Sequence, residues 1–137
     1  MAWVFDASIT IAWGIDDEKT PQTEALLDRL RKEEAFVPAL WHLEIANVLA
    51  LAMRNKARLT SSQRTQFLTL LSGERISVDP LTHVQAGTAT LALADQYKLT
   101  AYDAAYLELA MRMGVELATL DHHLRAAAGK AGVKVIP

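Results

Sequence analysis

The chain has 137 residues, enough for one domain to bury a continuous core without metal or disulfide staples. An apolar fraction of 51% beside 22% charged residues excludes a disordered chain. The absence of cysteine removes disulfides, thiolate metal sites and cysteine nucleophiles and fits a reducing compartment, so the cytoplasm is the expected location. No apolar run approaches the roughly 18 residues of a membrane span, Met1–Asp6 lacks the pattern of a signal peptide, and no membrane partner is expected. Lys and Arg total 14 against 16 acids, a formal charge of −2, which argues against a nucleic-acid binder that works through a net positive field.

Ala2–Phe5 is a short apolar run stopped by an acid and reads as a buried strand. Thr20-Pro21 is a cap followed by proline at the first helical position, and the stretch to Glu34 carries Leu26, Leu27 and Leu30 at helical spacing. Phe36-Val37, closed by Pro38, predicts a short strand, and Leu40–Met53 a deeply buried helix. Thr60 and Gln63 have capping-box spacing and Gly73 closes the helix they start. Ile76–Val78 reads as a strand ended by Asp79-Pro80, and Thr82 with Gln85 repeats the capping signature ahead of an alanine-rich helix to Tyr97. Tyr102–Met113 is a helix stopped by Gly114, Val115–Leu120 and Val133–Ile136 are the last strands, and a short helix between them, His122–Ala128, is closed by Gly129. Strands alternating with helices predict an α/β fold, a three-layer α/β/α sandwich with a mostly parallel central sheet. No repeat or linker divides it, so residues 1–137 are read as a single domain.

In parallel sheets ligands gather beyond the carboxyl ends of the strands. Asp6 follows the first strand, Asp121 follows the fourth with Thr119 two residues before it, and Asp103 opens a helix that could face the same edge. Glu44 lies inside the apolar run Leu40–Leu49 with no lysine or arginine within nine residues, so an inward-facing carboxylate there needs a partner. Each aspartate taken alone also reads as a helix cap or turn residue, and Glu44 as a helix-dipole acid that reaches solvent. Four carboxylates on one rim would repel one another unless cations neutralise them. Oxygen donors without Cys or His favour Mg²⁺ or Mn²⁺, and two such ions suit phosphodiester cleavage, so the predicted chemistry is that of a metal-dependent nuclease.

Val4-Phe5-Asp6-Ala7-Ser8, Glu44 followed by Asn47, Tyr102-Asp103-Ala104-Ala105-Tyr106 and Thr119-Leu120-Asp121 together resemble, in order and spacing, the PIN-domain ribonucleases, and most closely the VapC-like toxins of toxin–antitoxin pairs. The resemblance covers essentially the whole chain. It implies a dimeric α/β/α domain that binds one or two Mg²⁺ or Mn²⁺ ions through Asp6, Glu44, Asp103 and Asp121. It also implies RNA cleavage leaving a 5′-phosphate and a 3′-hydroxyl, and a VapB-like antitoxin whose inserted segment reaches the acidic pocket. By the same resemblance Asp6 and Asp103 are the main metal ligands. Ser8 and Thr119 orient the carboxylates, and Asn47, one helical turn from Glu44, holds that carboxylate, touches a phosphate or is a buried amide satisfied by backbone.

Arg54, Lys56, Arg58 and Arg64 form a basic stretch that reads either as an RNA-phosphate lip or as a solvated face. His42, His83, His122 and His123 have no zinc-helix spacing. Trp3, Trp13 and Trp41 suit core packing or an interface better than base stacking, and Asp16-Asp17-Glu18 reads as an exposed acidic turn. A dehalogenase-like phosphatase would need an acid where Ser8 stands, and a response-regulator receiver an acid pair at the first strand's end. The remaining alternatives are a catalytically silent PIN-like binding module and a stand-alone nuclease without an antitoxin.

Overall fold

The computed structural model describes residues 1–55 and 58–137. Among these, β1 (Trp3–Phe5), β2 (Ala35–Val37), β3 (Ile76–Val78), β4 (Glu116–Ala118) and β5 (Val135–Ile136) form one sheet in the order β3-β2-β1-β4-β5. Every pairing is parallel, with Val4 opposite Phe36 on one side and Leu117 on the other. The chain steps outward from β1 to β2 and β3, then crosses back to β4 and steps the other way to β5. The direction of winding therefore reverses between β1 and β4.

Right-handed crossovers place α1 (Ala7–Gly14), α2 (Pro21–Leu30), α3 (Trp41–Arg54) and α4 (Ser61–Ser72) on one face of this sheet. The other face receives α5 (Thr82–Gln85), a π-helical turn (Ala86–Thr90), α6 (Leu91–Tyr97), α7 (Ala101–Met113) and α8 (His122–Lys130). Contacts follow this division: α1 packs on α2, α3 and α4, while α7 packs on α6, α8, β1 and β4. The three-layer α/β/α architecture is as expected. β1 is wholly buried, and on the α1–α4 side Phe5 packs against Trp13 and Trp41 with ring centres 5.1 and 5.9 Å away. The three tryptophans are core residues, which removes them from base stacking. Gly14 is required where α1 meets α4, since an added Cβ would lie 2.6 Å from the Phe67 ring.

Several boundaries differ from the sequence reading. The helix α1 was not expected, because Ala7–Gly14 is apolar on all sides and lacks the polar face that reveals helical periodicity. Asp6 is accordingly a helix cap, not a turn residue. Thr82 is not a cap: it is the first residue of α5, and its hydroxyl accepts the Ala39 N–H at 2.9 Å, tying the end of β2 to α5. The helix after β3 is broken by the π turn. Gly129 lies inside α8, which continues to Lys130 and is followed by Ala131 as its cap.

Arg112 of α7 makes two hydrogen bonds to Asp79, at 3.2 and 2.6 Å, and two to Glu108, at 2.8 and 3.0 Å. Both carboxylates are buried, so one guanidinium satisfies two charges and fixes α7 to the loop that leaves β3. Burial alone would push Asp79 up, but the hydrogen bonds and charge of Arg112, with the Leu81 N–H and Thr82, together outweigh it and hold the carboxyl below its ordinary value. Arg112→Met is expected to destabilise the fold by about 2–3 kcal/mol in urea unfolding at pH 7, because it strands both acids. A depressed folded-state pKa stabilises above the unfolded value and loses that contribution as pH falls. The gap between variant and wild type should therefore narrow below about pH 4.

Candidate active site

The crevice where the winding reverses is the expected binding position in an open parallel sheet, and Asp6 stands at its centre. Its Oδ1 accepts the Ile9 N–H at 3.3 Å as the cap of α1. The Ser8 hydroxyl donates to Oδ1 and the Thr119 hydroxyl to Oδ2, each at 2.5 Å. Both hydroxyls are themselves oriented: Ser8 Oγ accepts the Leu120 N–H at 2.9 Å and Thr119 Oγ1 the Asp121 N–H at 3.0 Å. Asp6 is thus buried with three donors and, among the described residues, no cation in contact. Burial pushes its carboxyl up to about 6, the donors pull in the opposite direction, and the charge of Asp103 adds to the rise.

Glu44 lies in the first turn of α3, half-buried, and its Oε1 accepts the Tyr106 hydroxyl at 2.5 Å. Burial and Asp103 push it up against that hydrogen bond. Asp103 is the third residue of α7; the cap is Thr100, whose hydroxyl accepts the Asp103 N–H at 3.1 Å, so Asp103 is not spent on capping. Burial and then Asp121 push it up, with Thr100 and His123 opposing. Asp121 does cap its helix, Oδ2 accepting the Leu124 N–H at 2.7 Å. Arg125 of α8 braces the same loop by donating to the Thr119 carbonyl at 2.8 Å. The four acids come from four places in the chain, and Asp103 is electrostatically coupled to each of the other three.

Other expected residues are placed differently. Asn47 is exposed, not a buried amide, and the hydrogen bond to Glu44 comes instead from Tyr106. Arg54 is in the last turn of α3, about 15 Å of helix rise from Glu44. Arg58 pairs with Asp17 and Glu18 at 3.3 and 3.1 Å, so the acidic turn is exposed but engaged. Lys56 lies outside the described residues. The side chain that sequence reasoning missed is Tyr106. Its signal was a tyrosine in a run of buried residues, because a phenol in such a place requires a polar partner.

The donors suit a hard divalent cation: they are all oxygens, and three of the four carboxyls are pushed up where, among the described residues, no lysine or arginine offsets them. Among the described residues, no three His, Asp or Glu side chains are already gathered as a complete ligand set. Holding an ion would require the carboxylates to draw together around it.

The sequence profile of the PIN domain matches residues 3–130. The chain belongs to the PIN-domain family, and with it to a class of nucleases. Among solved structures, PAE2754 from Pyrobaculum aerophilum is similar with a TM-score of 0.68 and 25% identity, over 98% of this chain and 92% of that one. VapBC2 from Rickettsia felis, bound to a DNA fragment from its promoter, gives a TM-score of 0.66 at 11% identity over 98% and 97%. FitAcB from Neisseria gonorrhoeae gives 0.58 at 19% over 98% and 96%. The last two likenesses establish shared fold alone. No curated protein sequence matches.

Asp6 allows a thermodynamic test. A carboxyl raised in the folded state stabilises when protonated and loses that contribution as pH climbs from its unfolded to its folded pKa. In metal-free buffer the wild type should lose on the order of 2 kcal/mol between pH 4 and pH 7 relative to Asp6→Asn. Thermal unfolding of both proteins across that range checks it.

Proposed function

We propose that the chain is a metal-dependent endoribonuclease, the toxin of a type II toxin–antitoxin pair, with Asp6, Glu44, Asp103 and Asp121 holding Mg²⁺ or Mn²⁺. The observation that carries this reading is the buried Asp6 carboxylate, fixed by Ser8 and Thr119 with no cation beside it among the described residues, next to three further acids that interact through Asp103. When bound, a divalent cation there neutralises the carboxylates and supplies the Lewis acidity for phosphodiester hydrolysis. The chain's own part is to hold the oxygens. Ser8 and Thr119 fix the rotamer of Asp6, and the N-terminal turn of α7 carries Asp103 into the crevice from the opposite layer. Asp121 keeps Oδ1 outside its capping bond.

Two surfaces support the proposed partners. A cavity of about 620 Å³ between α3 and α4, lined by Trp41, Ile45, Leu49, Leu68 and Leu71, also reaches His42, two residues from Glu44. It suits the apolar face of an antitoxin segment that continues toward the acids. The helical stretch 82–94 has no charged residue, and Leu81 just before it and Val84 and Leu91 along it are exposed, which suits a homodimer contact. RNA phosphates would be met by Arg54, with Lys56 beside it in sequence, and less by Arg58, which its acidic neighbours already engage.

Purified protein should cleave RNA with Mg²⁺ or Mn²⁺, lose activity in EDTA, and lose at least about a hundredfold in rate on Asp6→Ala or Asp103→Ala. Unchanged rates in both variants would refute the assignment. In salt titrations of RNA binding by the metal-free protein, Arg54→Ala should lower the slope by about one, and Arg58→Ala by less. Leu68→Glu should weaken antitoxin capture at least tenfold while leaving RNA cleavage intact.

A further inference from the structure

Tyr106 sits in the middle of the buried segment Ala104–Ala110 and is 1% exposed. Its hydroxyl donates to Glu44 Oε1 across 62 positions of sequence. Because α3 and α7 lie on opposite faces of the sheet, this bond passes beyond the strand ends and joins the two helical layers at the acids. The ring is located by close packing, so the core sets the position of its oxygen. A glutamate in the first turn of α3 has by contrast three side-chain torsions to fix. Tyr106 engages only Oε1, and Asp103 is close enough for its charge to act on the same carboxyl.

We propose that Tyr106 is a positioning residue: its hydroxyl holds Glu44 Oε1 so that Oε2 is presented, with Asp103, to the divalent cation, and the affinity for that cation depends on it. This rests on the metal-dependent reading above and adds to it a residue that orients a ligand without touching the ion.

The test measures Mn²⁺ affinity by titration calorimetry on the metal-depleted full chain for the wild type, Tyr106→Phe, Glu44→Gln and the double variant. Thermal unfolding in EDTA serves as the fold control. Tyr106→Phe should bind Mn²⁺ about tenfold more weakly. Adding it to Glu44→Gln should cause no further loss, because the tyrosine acts only through that carboxylate. Equal affinity of Tyr106→Phe and wild type, or a second tenfold loss in the Glu44→Gln background, overturns the proposal and leaves metal dependence standing. A wild type that binds no Mn²⁺ overturns both.

A second measurement leaves Tyr106 in place, which keeps the test valid if Tyr106→Phe does not fold. The chain has three tyrosines, and ¹³Cζ labelling gives each its own resonance. The Tyr106 signal should move on Mg²⁺ titration of the wild type and stay still in Glu44→Gln. A Tyr106 signal that stays fixed while Mg²⁺ binds the wild type overturns the proposal.

Discussion

A carboxylate at the end of a strand buried on both faces governs how this molecule is put together. β1 lies between two helical layers, so Asp6 is removed from water as soon as the strand ends, and an ionised group there requires donors. They come from both sides of the crevice: Ser8 and the Ile9 N–H from the start of α1, and Thr119 from the loop after β4. Satisfying one carboxylate thereby sets the entry angle of α1, the exit of β4 and, through the Thr119 hydroxyl that accepts the Asp121 N–H and the Asp121 carboxylate that caps the helix, the start of α8. The other acids inherit their places from that arrangement. Asp121 is delivered by the loop that holds Asp6, and Asp103 arrives on a helix packed against β1 and β4.

The acids were legible in the sequence because strand ends in a parallel sheet are predictable and three of the four are bounded by clear strand or helix signals. The helix α1 was not, since it is enclosed between β1 and the helices around it and presents no polar stripe. Thr82 was misread because its spacing to Gln85 imitates a cap, whereas its hydroxyl serves the backbone after β2. The partner of Glu44 was out of reach for another reason. Local spacing shows that the glutamate needs one, but the tyrosine that provides it is 62 residues away on the opposite layer, and only the completed sheet brings them together.

The total charge of −2 turns out to be a poor description of this surface. Setting aside Asp6, Glu44, Asp103 and Asp121 turns the balance to +2, and several of the arginines are already committed to acids. Arg58 faces Asp17 and Glu18, and Arg112 is enclosed by Asp79 and Glu108. Nearer the acids, the exposed basic side chains include histidines, His42 in the first turn of α3 and His122 and His123 in the first turn of α8. Those helix starts also carry partial positive charge.

The bond from Thr119 to Asp6 spans 113 positions, and this has a consequence for the order of events during synthesis. When Asp6 leaves the ribosome, its second hydroxyl has not been made, and it stays unmade through β2, β3 and seven helices. Contacts of such long range are gained late in folding, since the loop entropy must be spent before they form. A nascent chain therefore carries an incomplete crevice until the loop after β4 has been made, and the acidic pit is closed only when β4 inserts beside β1.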